Sequence, residues 1–378
     1  MNVNSILKKE GIENIRALNT LEINKIASNI SEKICKAFPE HNLNKSDLFI
    51  NISRLNMYIA TMPNDHSAAK YFYKNSSIYF SENIDFDNIG TLAIHEALHF
   101  IQEVKNKNNK LLRMGLYNLE NHSSGMALNE AAVQLMASIA NNSNLDQVKY
   151  YDLEIQTESP DYYPLECALI RQMLYFTGSY ALFNSTLFGN DIFKNTYIAK
   201  TNKYIFNKIE YNFDLLVHYE NMLSLETNKL IAIPDTQSNF KKIFNTNQKI
   251  QNLKKIISKI ALETQEQILT NCFNSELNLV RDKESLEDFK TRLYNFKDIL
   301  ICPENYSFFN DFYCYMMNKL DEKRELIEKY GILNCLSNSE TSLILLKPSP
   351  YKYIFDIIEK LSILFKNNIL INKEKNID

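Results

Sequence analysis

The sequence predicts an α+β chain: a small mixed sheet with an apolar helix beside it, followed by a large all-α helical domain. Three observations carry this. Alternation of apolar and polar residues, the strand period, is concentrated in residues 47–80. A helix-compatible stretch that is apolar on most sides follows at 87–104. From residue 164 onward, apolar residues recur at three- and four-residue spacings. With only 7 Gly and 8 Pro in 378 residues, long irregular loops are disfavoured.

In chain order, residues 4–38 read as helices, with Ile6, Leu7, Ile15, Leu18, Leu21, Ile23, Ile26, Ile30 and Ile34 at mixed helical spacings until Pro39 stops them. Leu48, Ile50 and Ile52, then Met57, Ile59 and Thr61, alternate with polar neighbours and read as strands, and Pro63-Asn64-Asp65 as a turn. Tyr71-Phe72-Tyr73 and Ile78-Tyr79-Phe80 flank Lys74-Asn75-Ser76-Ser77, which predicts an aromatic-rich β-hairpin. The 87–104 helix comes next, with Asp85, Asp87 and Asn88 able to cap its start and the polar run Lys105–Lys110 ending it. Gly115–Ser124 reads as loop, and Met126–Ala140 as a second helix of small apolar residues.

Asn141-Asn142-Ser143-Asn144 and Ser159-Pro160-Asp161 are linker-like and set a domain boundary. The expected organisation is an N-terminal helical segment at 1–45, a core at 46–145 and a helical bundle at 146–378. Helices in the bundle are expected at 164–185, 190–230, 238–275, 283–300, 304–330 and 351–367.

A net charge of −3, from 42 basic and 45 acidic residues, offers no basic surplus for nucleic acid. The six cysteines, Cys35, Cys167, Cys272, Cys302, Cys314 and Cys335, form no C-x-x-C pair, which favours reduced thiols in a cytoplasmic setting. Lys8 and Lys9 are not followed by an apolar run, so no secretory signal is expected. Tyr353–Ile371 is apolar but interrupted by Asp356, Glu359, Lys360 and Lys366, so a membrane span is not expected there.

The 87–104 helix carries His95-Glu96-Ala97-Leu98-His99. Residues four apart share a helix face, so His95 and His99 can close on one metal ion. Glu96 lies about 100° round the helix and can reach water beside that ion. Two neutral imidazoles and a general base are what zinc-assisted hydrolysis requires. A third protein ligand is needed. The extended histidine pattern is excluded, because Gln102 and Lys105 stand where Gly and His belong. Glu103 is about 12 Å along the axis from His95 and cannot join both histidines on a straight helix. Glu130 is the best candidate: it sits on the second helix among Ala127, Ala131 and Ala132, where an unpaired buried carboxylate is costly. His122 is the alternative.

With His95-Glu96-x-x-His99 followed by Leu128-Asn129-Glu130-Ala131, the chain resembles the gluzincin metallopeptidases over about residues 46–140. The resemblance implies a zincin-like catalytic core with one zinc ion, Zn2+, held by His95, His99 and Glu130. It implies hydrolysis of a peptide bond in a peptide or protein substrate, with Glu96 as general base on a zinc-bound water. The hairpin before the motif looks like the zincin edge strand, which in that family binds substrate backbone; Tyr79 could line that cleft or belong to the core. Many members carry Asp four residues after the ligand Glu, to orient a zinc-bound His. Gln134 stands there, so an amide would have to make that hydrogen bond.

Family members usually add a Tyr or His that stabilises the oxyanion. Tyr163, opening a helix before Pro164, is the preferred candidate over Tyr162, Tyr151 and His218. Two other readings compete: a catalytically inert zincin fold whose helical half binds a partner, and a helical structural protein with a chance motif.

Overall fold

The computed structural model describes residues 3–9, 11–62, 69–120, 125–234, 236–301 and 307–330. The expected turn at Pro63-Asn64-Asp65, the alternative ligand His122 and the helix expected at 351–367 lie outside the described residues. The architecture is mixed α/β, with small sheets at the N-terminal side and a large helical part.

Helix α1 (Val3–Lys9) leads into strand β1 (Glu13–Ala17), which interrupts the helical reading of 4–38; Ile15, counted there as a helical apolar position, is half-exposed on that strand. Helix α2 (Thr20–Ala37) opens on a capping box. The Asn19 side chain accepts from the Leu21 and Glu22 amides, and the Glu22 carboxylate accepts from the Asn19 amide. Ile26, Ile30 and Ile34 are fully buried along its inner stripe.

Leu48 to Ile52 forms helix α3 (Lys45–Ser53) and not a strand. Leu48 and Ile52 are four apart and buried on one face, while Ile50 is exposed; alternation over five residues fits both periods, and the Asn44 cap decides for the helix.

Strands β2 (Asn56–Thr61), β3 (Ala69–Phe72) and β4 (Ser77–Phe80) complete a four-stranded sheet in the order β1-β2-β4-β3. The hairpin β3–β4 is antiparallel with Tyr71 opposite Ile78, as its sequence predicts, whereas β2 and β4 run parallel. Strand β4 is central and wholly buried, and β3 is the edge. One face of the sheet (Ala60, Phe72, Tyr79) packs with Leu7 and Ile12. On the other, Tyr71 meets Phe100 edge to face, at 6.0 Å between ring centroids.

Phe100 belongs to helix α4 (Thr91–Ile101), which carries the histidine motif. It is shorter than its apolar run suggests. Gln102 caps it, and the chain turns into a three-stranded sheet of β5 (Glu103–Lys105), β6 (Leu111–Met114) and β7 (Tyr117–Asn118), the last of which lies where loop was expected. Helix α5 (Met126–Ala140) is buried on almost every side; small residues let it lie closely against α4. Between the two linker-like stretches the chain folds as a further hairpin, β8 (Asp146–Tyr150) with β9 (Leu153–Thr157), joined through Tyr151 and Asp152 in the left-handed region.

The helical part follows as α6 (Pro164–Thr177), α7 (Ser179–Phe188), α8 (Ile192–Lys200), α9 (Lys203–Ile231), α10 (Phe240–Leu279), α11 (Lys283–Asn295) and α12 (Ser307–Tyr330). Gly178, at φ 81°, splits the first expected helix into α6 and α7. The break at Thr201–Asn202 splits the second, where Asn202 caps α9 through the Ile205 amide. Helices α9 and α10 pack along their lengths, and α6 and α9 also pack on α5, so the helical part buttresses the motif helices. The described residues all belong to one compact unit, Met1–Ile332. Among them, no helix is long and apolar enough to cross a membrane.

Candidate metal centre

Helix α4 begins after Gly90, which offers no side-chain cap. The expected cap from Asp85, Asp87 or Asn88 is not made, because the Asp85 carboxylate turns back on the Asp87 and Asn88 amides in a local turn. One turn into the helix the side chains of His95 and His99 emerge on one buried face, with their Nε2 atoms 2.9 Å apart. Glu130 approaches from α5, and its Oε2 lies 3.3 Å from each Nε2. Among the described residues, these three side chains form a group able to hold a metal ion.

The donor set fits zinc. Ligands about 2.0–2.1 Å from a tetrahedral ion stand roughly 3.3 Å from one another, and two imidazoles with one carboxylate are a common catalytic set that keeps a fourth position open. Burial would raise the Glu130 carboxyl, but the charges of His99 and His95 and their hydrogen bonds hold it well below the ordinary carboxylate range.

Two features missed in the sequence place Glu130. Asp214 of α9 caps α5 from a distance: its carboxylate accepts from the Gly125 amide at 2.8 Å and the Ala127 amide at 3.0 Å. Gly125 has φ 100° and lies against Glu210, so a Cβ there would meet that carboxylate. Asn129, next to the ligand, accepts from the Leu116 amide at 3.0 Å and ties α5 to the β6–β7 turn. Neither cap nor tie has a local sequence signal, since the partners are far apart in the chain.

Glu96 is not one of this group; its Oε2 accepts the Tyr71 amide of β3, at the sheet edge, at 2.6 Å. Desolvation among these neighbours pushes its carboxyl up to about 7, opposed by His95 and by the Tyr71 amide. Tyr71 itself donates its hydroxyl to Glu103 at 2.8 Å.

Of the four oxyanion candidates, Tyr163 stands at the site. Its ring stacks on His95, with centroids 6.5 Å apart and planes 13° from parallel. It occupies the left-handed region at φ 52° as the cap residue of α6, with Pro164 starting the helix. Desolvation, then the charges of Glu130, Glu166, Glu96 and Glu220, raise its phenol far above the usual range, so it stays a hydrogen-bond donor. Tyr162 is partly exposed and lines a neighbouring cleft with Asp85, Asp161 and Gln134. Tyr151 donates to Tyr150 at 2.9 Å, and His218 packs on Tyr219. Tyr79 is core: it is buried, stacked on Tyr58, and its hydroxyl accepts from Asn75.

Gln134 does not orient a histidine. Its amide donates to Ser159 at 2.8 Å and to Ser138, while His95 Nδ1 has no partner. The amide that does meet a histidine is Gln102, whose Nε2 lies 2.7 Å from His99 Nδ1. The signal available in the sequence was its three-residue spacing from His99 on one helical face.

Within electrostatic reach of Tyr163 lies an acidic pair. Glu166 of α6 is fully buried, and Glu220 of α9 is its neighbour. Burial keeps both carboxyls protonated above the ordinary carboxylate range; Glu166 raises Glu220 further, while the hydrogen bonds from Glu220 to Glu166 and from Tyr150 to Glu220 work against the shift. Comparison with protein-family models, with curated proteins and with solved structures finds no match to this chain.

Proposed function

We propose that the chain is a zinc-dependent hydrolase of peptide bonds with a gluzincin-type centre. The observation that carries this is the convergence of His95, His99 and Glu130 within ligand distance of one another, with Glu96 on the same helix close by but outside that group. A structural role for two buried histidines would not require a third ligand brought in from another helix. When bound, zinc supplies Lewis-acid polarisation of a carbonyl and lowers the pKa of water.

The chain's own residues do the rest. His95, His99 and Glu130 hold the ion. Glu96, raised toward neutrality and fixed by the Tyr71 amide, takes the proton of the attacking water at its free oxygen and returns it to the leaving amine. Tyr163 keeps its proton and donates to the developing oxyanion from beside His95. Strand β3 lies at the sheet edge and packs against α4; the gluzincin resemblance gives such a strand to substrate backbone, which supports a peptide or protein substrate.

The test is zinc analysis of purified protein together with mass spectrometry of a diverse peptide pool incubated with wild type and Glu96→Gln. One zinc per chain, and cleavage in wild type alone, is expected. Absence of zinc overturns the reading, and bound zinc without cleavage turns it into an inert zincin-like binding protein.

A further inference from the structure

Gln102 is 1% exposed and its amide nitrogen lies 2.7 Å from His99 Nδ1. In that orientation the amide donates, Nδ1 accepts, and the imidazole proton must sit on Nε2, the atom that faces His95 and Glu130. A metal needs the Nε2 lone pair, so this proton has to be on Nδ1 instead. The same orientation strands Gln102 Oε1, which is buried without a donor. It points to the space over Gly115, where the Asn129 side-chain oxygen and the Thr186 carbonyl, both acceptors, also converge. Turning the amide by 180° resolves both problems. Oε1 then accepts from Nδ1–H, and the NH2 group faces two acceptor oxygens. Gly115, at φ 53°, is what leaves room for the amide, since a Cβ there would collide with it.

We propose that Gln102 is the positioning residue of His99: its amide oxygen holds the proton on Nδ1 and so presents the Nε2 lone pair to the metal, a role that rests on the metal-centre reading above. It takes the place in this chain that Gln134 does not fill.

Zinc affinity is measured by competition with a chromophoric chelator in wild type, Q102L and Q102E, and the imidazole 15N shifts of His99 are recorded in each. Q102L, which removes the acceptor, is expected to bind zinc about 10- to 100-fold more weakly. Q102E keeps an acceptor for Nδ1–H and, with its other oxygen protonated toward the Asn129 and Thr186 acceptors, is expected to lose less affinity than Q102L. Zinc-loaded wild type should show His99 protonated at Nδ1. Unchanged affinity in Q102L, equal losses in both variants, or a His99 bound through Nδ1 would each overturn the proposal while leaving the metal centre standing. A wild type that takes up no zinc would overturn both.

Discussion

The Glu96 carboxylate accepts the amide of Tyr71 at 2.6 Å, which locks the residue between the two motif histidines to the edge strand of the sheet. In the proposed reaction Glu96 would be positioned as general base by the strand next to the metal group, with its second oxygen left to handle a proton. Replacing Glu96 by Gln preserves size and hydrogen bonding but removes the base. Zinc content and melting temperature should remain as in wild type, while the peptide cleavage rate falls by at least about 100-fold. A variant that cleaves at the wild-type rate removes Glu96 from its role.

Glu130→Ala should cost more zinc affinity than the roughly 10- to 100-fold that follows loss of an outer hydrogen bond, because a direct ligand is lost. His95→Ala should do the same. Direct titration with zinc measures both; wild-type affinity in either variant would mean that the ion sits elsewhere.

Asp214 holds the start of α5 through two backbone amides. Asp214→Ala should destabilise the fold by about 0.5–2 kcal/mol, the usual range for a lost helix cap. It should also weaken zinc binding, since Glu130 is one turn inside that helix. Urea unfolding of the metal-free protein checks the first, and a zinc titration the second. A stability loss with intact zinc affinity would show that the cap does not position the ligand.

The Glu166–Glu220 pair gives a pH dependence with a definite sign. Both carboxyls are raised in the fold, Glu166 by burial and Glu220 by burial and then by Glu166. The unfolded chain releases these protons near the ordinary value of 4.5, before the folded chain does. Their contribution is therefore complete below that pH and is lost as pH rises through the folded-state value. The melting temperature should fall between pH 5 and pH 8, and Glu166→Gln, which cannot ionise, should make that fall shallower. Parallel profiles for the two proteins would rule the pair out as the cause.

Local patterns determined much of this protein. The four-residue spacing of His95 and His99 puts two imidazoles on one face of any helix containing both, and an apolar run around them makes that helix buried. The aromatic segments around Lys74–Ser77 specify a hairpin, and three- and four-residue periodicity specifies the helical second half. Where the pattern was short it misled: Leu48, Ile50 and Ile52 alternate like a strand, but the cap at Asn44 and the burial of a single face make them a helix. Tertiary structure alone decided which distant groups meet. It brought Glu130 onto the histidines and Tyr163 beside His95, both candidates in the sequence, put Gln102 on His99 where Gln134 was expected, and supplied Asp214 as the cap of α5. The reason is physical. Helical and strand periods are set by the backbone over a few residues, whereas a metal centre is set by how helices pack, and packing depends on volumes and hydrogen bonds contributed from the whole chain.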